Sequence, residues 1–131
     1  MDVAVEIGHG AIYFVESGDF DVGSYLDAVV EIFEMPDYVD GMPVIVDARL
    51  LTTPASSQQL QALREALDTP KFRRFRPCRY AMVTRTDFGR LQAKLAATLV
   101  GTRVADPHES FVIRRFRTVE DAEAWIRQNA E

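Results

Sequence analysis

Cysteine is almost missing from this chain of 131 residues. Cys78 stands alone, so no intramolecular disulfide can form, and a reducing cytoplasm is the simplest compartment. Long apolar runs are also missing: none approaches the roughly 20 residues that span a bilayer, so no integral membrane association is expected. The opening MDVAVEIGHG lacks the basic region, apolar stretch and cleavage site of a signal peptide. Histidine is limited to His9 and His108, and no His/Cys/Asp/Glu spacing resembles a metal site; Asp106-Pro107-His108-Glu109 is too short and isolated. No internal repeat, low-complexity segment or linker divides the chain. With 47% hydrophobic residues it reads as one domain, 1–131, able to bury a core without staples.

Positive charge is the last scarcity. The first 50 residues carry eleven acidic side chains and one basic, Arg49, for a net −10, whereas residues 51–131 net +5. If the two sets stay apart, the fold is dipolar, which favours steering of a charged partner or self-association; if they interleave, they cancel.

What is present centres on GMPVIVDARLLTTPASS, residues 41–57. Val44, Ile45 and Val46 form a continuous β-branched run, the mark of a strand covered on both faces, and the reading ends that strand, Pro43 to Asp47, at a carboxylate. A polar loop follows, and Thr53 is expected to cap a helix whose first residue is Pro54. Its apolar face is Leu60, Leu63, Ala66 and Leu67, and it runs to about Asp68.

Taken in order, Val3–Ile7 and Ala11–Val15 read as strands joined by a three-residue turn, Gly8-His9-Gly10, with Ser17-Gly18-Asp19 ending the second. Asp21 caps a helix from Val22 to about Glu34, with Tyr25, Leu26, Val29, Val30 and Phe33 on one stripe and Asp27, Glu31 and Glu34 opposite. Met35-Pro36 ends it. Beyond the central helix comes a basic run, Lys71 to Arg79, then a strand from Tyr80 to Thr84. Asp87 caps a helix from Phe88 to about Val100, with Gly101 as its stop. Phe111–Phe116 is the last strand, and Thr118 opens a closing helix that ends near Asn129. The order ββαβαβαβα predicts an α/β fold with a mixed, largely parallel sheet flanked by helices.

Sites in open α/β sheets lie at the carboxyl ends of strands. Asp47, Arg49, Thr52 and Thr53 are therefore candidates for ligand or partner contact. Ser56 and Ser57 are expected in the first helical turn, where unsatisfied N–H groups and the helix dipole favour a phosphate or bound anion. Lys71, Arg73, Arg74 and Arg76 alternate with Phe72 and Phe75, a composition suited to nucleic acid, anionic lipid or the acidic first helix of another subunit. The acidity of the whole chain opposes nucleic acid. The phenylalanines are equally suited to plugging the space between helix and strand. Cys78 has cationic neighbours but enters a strand, which points to a buried structural thiol.

The early helix DVGSYLDAVVEIFEMP, the strand VIVDARLLTTPAS, the helix SQQLQALREAL, the segment YAMVTRTDFGRLQAKL and the closing FRTVEDAEAWI together resemble the SpoIIAA-like branch of the STAS fold, the sulfate-transporter and anti-sigma-antagonist domain, over nearly the whole chain. In regulatory STAS members a strand ends in Asp, and a serine about nine residues later is phosphorylated by a partner kinase. The resemblance implies that Asp47 matches this Asp and Ser56 the serine. The family's Asp-Ser pair followed by glycine is replaced here by Ala55-Ser56-Ser57.

The expectation is a non-enzymatic, cytoplasmic regulatory or protein-interaction module. It would dock through the strand-end loop and the following helix, bind a protein partner, form a homodimer and use no cofactor, metal or nucleic acid. The alternative is a binder or carrier of a small apolar or lipid-like ligand, held near Phe88, Leu91 and Trp125. No acid/base or nucleophile constellation converges in the sequence to support catalysis.

Overall fold

The computed structural model describes residues 1–53, 55–85 and 112–128. The described elements are β1 (Asp2–Gly8), β2 (Ala11–Asp19), α1 (Val22–Phe33), β3 (Val44–Thr53), α2 (Ser57–Leu67), β4 (Arg79–Val83), β5 (Val112–Phe116) and α3 (Val119–Gln128). The five strands form one sheet in sequence order, β1-β2-β3-β4-β5. β1 and β2 are antiparallel, and every later pairing is parallel. The mixed α/β architecture matches the sequence reading. The helix expected from Asp87 to Gly101, and with it Pro54 and His108, lies outside the described residues.

The hairpin turn holds two residues rather than three. Gly8 pairs with Ala11, leaving His9 (φ 53°) and Gly10 (φ 76°) in the left-handed region, as a turn matching the strand twist requires. β2 continues past the expected break at Ser17-Gly18-Asp19. Two register shifts against β3, between Val15 and Ser17 and between Gly18 and Asp19, absorb the irregularity as bulges. β3 likewise does not stop at Asp47: it pairs with β2 as far as Thr53. The β-branched Thr53 pairs with Asp19 there, and Thr52 is the extra residue at the second register shift.

The consequence is a correction at the helix start. Thr53 is the last strand residue and cannot cap; Ser56 is the N-cap of α2, and Ser57 is its first residue. Asp21 caps α1 as the sequence implies, accepting from the Ser24 N–H at 2.8 Å. At α3, Thr118 accepts from the Asp121 N–H at 3.1 Å.

Strand alternation sends side chains to two cores. Ile12, Phe14, Val44, Val46, Tyr80 and Met82 meet α1 and α2 in the larger cluster, with Val3, Val5 and Ile7 of β1 packed against it. Ala11, Ile45, Ala81 and Val83 point the other way, onto Ala122, Trp125 and Ile126 of α3. Each fully buried Leu, Ile or Val there contributes about 1.5–3 kcal/mol. Phe14 stacks on Tyr25 (5.6 Å between ring centroids) and meets Phe75 edge-on (6.1 Å), while the buried Tyr25 and Tyr80 hydroxyls share a hydrogen bond of 3.2 Å. Among the described residues no helix is long and apolar enough to cross a membrane.

Candidate functional site

β2, β3, β4 and β5 run in one direction, so their carboxyl ends share one edge of the sheet. The candidates from β3 and α2 gather near it but divide into three separate sets. In the first, Asp47 and Arg49 project from one face of β3, two residues apart. The guanidinium clasps the carboxylate at 2.9 and 2.7 Å, and the Arg49 N–H adds a third bond at 3.2 Å. That clasp, opposed by partial burial, holds the Asp47 carboxyl below the ordinary range and raises Arg49 in turn.

The second set is built on Asp19, a residue the sequence reading did not single out. Its Oδ1 accepts from the hydroxyls of Thr52 (2.7 Å) and Thr53 (2.6 Å), which lowers its pKa. The third is the start of α2. Ser56 Oγ accepts from the Gln59 N–H at 3.1 Å, and Gln59 Oε1 accepts from the Ser56 N–H at 2.8 Å, a reciprocal capping box. The Gln59 amide also donates to the Phe20 carbonyl at 2.9 Å and ties the helix start to the end of β2. The Ser56 hydroxyl is thus engaged with its own helix. Ser57 is exposed beside it.

The strand end is itself unusual. β4 pairs with β3 only from Val44 to Asp47, so Ala48–Thr53 has a strand partner on the β2 side alone among the described residues. Arg85 Nη2 reaches the Leu51 carbonyl on the open side at 3.3 Å. Leu50 stands 63% exposed there, between exposed Arg49 and buried Leu51.

The basic run is placed differently from the expectation of an interface. Phe72 and Phe75 are buried in the larger core and cannot face a partner. Arg74 forms an ion pair with Asp40 at 3.3 Å and lies over the rings of Phe33 (5.0 Å) and Tyr38 (5.3 Å). Arg73 donates to the Asp68 carbonyl and Arg76 to the Arg73 carbonyl. Lys71 sits over Phe72 at 5.4 Å. Here the acidic and basic halves of the sequence interleave within one chain. Cys78 is exposed, not buried. Trp125 is buried against Phe116 at 5.6 Å; Phe88 and Leu91, its expected partners in a ligand pocket, lie outside the described residues.

Two further groups escaped the sequence reading. Tyr13 donates to Glu123 on α3 at 2.8 Å, and burial together with that carboxylate pushes its pKa up to about 12. Glu16 is 1% exposed, and neither carboxyl oxygen has a hydrogen-bond partner among the described residues. Burial, reinforced by the nearby Asp47 charge, raises its pKa from 4.5 to about 8, so it is a neutral acid at pH 7. The signal was its place in the inward series Ile12, Phe14, Glu16. No cluster of three His, Cys, Asp or Glu able to hold a metal occurs among the described residues.

No protein-family model and no curated protein matches the chain. Among solved structures it is similar to an uncharacterised protein of the DUF3478 family from Shewanella loihica PV-4, described as having a SpoIIAA-like fold. The two share 16% identity over 95% of this chain and 91% of that one, with a TM-score of 0.53. At that identity the likeness speaks for the fold, and the fold of this chain is SpoIIAA-like.

Proposed function

We propose that the protein is a non-enzymatic, cytoplasmic regulatory or protein-interaction module that docks through the outer part of β3 and the start of α2. The observation that carries this reading is the stretch Ala48–Thr53, which outruns β4 and leaves one strand edge without a strand partner among the described residues, with Leu50 exposed on it. Such an edge accepts backbone hydrogen bonds from an added segment, and an exposed leucine among polar neighbours supplies an anchor. Asp47, Arg49, Thr52, Thr53 and Ser56 are engaged with groups of their own chain, which suits a shaped docking surface better than a reacting centre. A homodimer belongs to the same reading. Asp27 and Glu31 are exposed on α1, Arg114 and Arg115 on β5, and opposite charges on separate elements suit pairing between copies.

A photo-crosslinking residue at position 50, with a second at Val39 (64% exposed) as control, tests this directly. The expected result is a discrete protein adduct from position 50, either a second copy of the chain or a single partner, and none from position 39. Equal yields from both positions, or none from position 50, would sink the docking surface. Native mass spectrometry of the same preparation reads the other alternative: a retained small-molecule mass favours a ligand carrier.

A further inference from the structure

Glu16 has no role in the docking surface, and no group among the described residues compensates its burial. Val3 lies directly across from it in the β1–β2 ladder, and directly opposed residues of an antiparallel pair project to the same face. Val3 packs against the larger core, so Glu16 points into that core. On its other side the β2–β3 register slips: Val15 pairs with Asp47 and Ser17 with Leu50, so Ala48 and Arg49 both oppose Glu16. The acid thus sits at a bulge, between an irregular ladder and the edge strand.

We propose that Glu16 is a proton-operated latch on the β1–β2 hairpin: as a neutral acid it stays buried opposite Val3, and loss of its proton is coupled to opening of β1 around Met1–Val3.

A buried carboxylate without partners is far costlier than the neutral acid, so an ionised Glu16 must reach water. Among the described residues no charge relieves it, and the Met1 ammonium acts on Asp19 and Asp21. Asp47 repels it, and Arg49 is already bound to Asp47. Asp2 and Glu6 of β1 are exposed, alternating away from Val3 and Val5. On α1, Asp21 caps Ser24, and Asp27 and Glu31 face solvent. On α2, Gln59 is neutral and bound to Phe20, and Arg64 and Glu65 are exposed. Among the described strands β1 is the edge, joined to β2 alone, so its release around Met1–Val3 breaks part of one ladder, lifts Met1 and Val3 off the larger core and exposes Glu16. The Met1 backbone packs over Gly18, where an added Cβ would stand 3.7 Å from Met1 Cα, so the same movement uncovers the bulge.

The linkage has a defined window. In the opened state Glu16 titrates near its ordinary 4.5, and in the closed state near 8. Between these values opening releases a proton, so the opening constant rises about tenfold per pH unit and levels off above the upper value.

The test is amide hydrogen exchange by NMR from pH 5 to 8, corrected for intrinsic exchange, on the wild type, E16Q and D47N. Expected are β1 amides that open more readily than those of β3 and β4, with an opening constant that climbs about tenfold per unit in the wild type and stays flat in E16Q. In D47N the plateau arrives at lower pH, because the repelling charge is gone. A flat profile in wild-type β1, β1 amides that open no more readily than those of β3 and β4, or the same slope in E16Q overturns the proposal. A Glu16 carboxyl carbon that titrates in the usual range overturns it without any variant, so a failure of E16Q to fold leaves it refutable.

Discussion

Replacing Glu16 by Gln removes one titration from the protein and nothing else of comparable charge. In the wild type the folded state keeps its proton up to about pH 8, whereas the unfolded chain gives it up near 4.5. Between those values the unfolded state binds fewer protons, so stability falls as pH rises, by about 1.36 kcal/mol per unit. This contribution is fully present below 4.5 and is lost as pH rises through 8. At pH 7, 2.5 units above the unfolded value, the loss amounts to about 3 kcal/mol, a large share of the 5–15 kcal/mol that holds a typical domain together. E16Q should therefore resemble the wild type at pH 4.5 and exceed it by about 3 kcal/mol at pH 7. Gln keeps an unpartnered polar group in place, so the burial cost of the neutral side chain largely cancels between the two proteins. Urea denaturation at half-unit steps from pH 4.5 to 8 measures the difference, and all other titrating groups cancel in it. A stability difference that stays constant across that range would refute the reasoning, because it would mean that Glu16 ionises at an ordinary pKa.

Ser56→Ala should cost about 1 kcal/mol in urea denaturation, the usual worth of a capping hydroxyl. Ser56→Ala and Gln59→Ala each remove one bond of the capping box, so each should destabilise the protein; a neutral Gln59→Ala would contradict the capping box. Cys78 should react with a thiol reagent at one equivalent in the native protein, at a rate unchanged by denaturant, because it is exposed. Slow labelling that accelerates on unfolding would restore the buried thiol.

The fold was legible because its strongest signals are periodic. The unbroken Val44-Ile45-Val46 run does sit between two covered faces, with Val44 and Val46 in one core and Ile45 in the other. Of the stripe read on α1, Tyr25 and Val29 are buried and Leu26, Val30 and Phe33 partly so, while Ala28 and Ile32, which the reading left out, are buried too; Asp27, Glu31 and Glu34 face water. Strand ends were less legible, and for one reason. Ser17-Gly18-Asp19 and Arg49–Thr53 look like loops locally, but each supplies the other with a parallel partner and the bulges make the registers fit. Pairing across that separation in sequence is a tertiary fact, and it overrides local turn chemistry.

The same cause governs what could be read of the site. Thr53-Pro54 and Ser56–Gln59 are both good helix-start signals, and they compete; extension of β3 to Thr53 leaves only the second available. Once β3 is long, Thr52 and Thr53 come beside Asp19, a contact invisible from either segment alone. Once β2 is long, Glu16 is a strand residue in the inward series instead of the start of a turn. The basic run was a matter of composition against placement. Its spacing left Phe72 and Phe75 free to be partner contacts or plugs, and packing against Phe14 and Phe33 makes Phe75 a core residue while the Arg74 guanidinium settles on the adjacent rings. Charge asymmetry along a sequence therefore becomes a surface dipole only where the topology keeps the two halves apart. Around Asp40 and Arg74 it brings them together. The exposed acids of α1 and the arginines of β5 lie on separate elements.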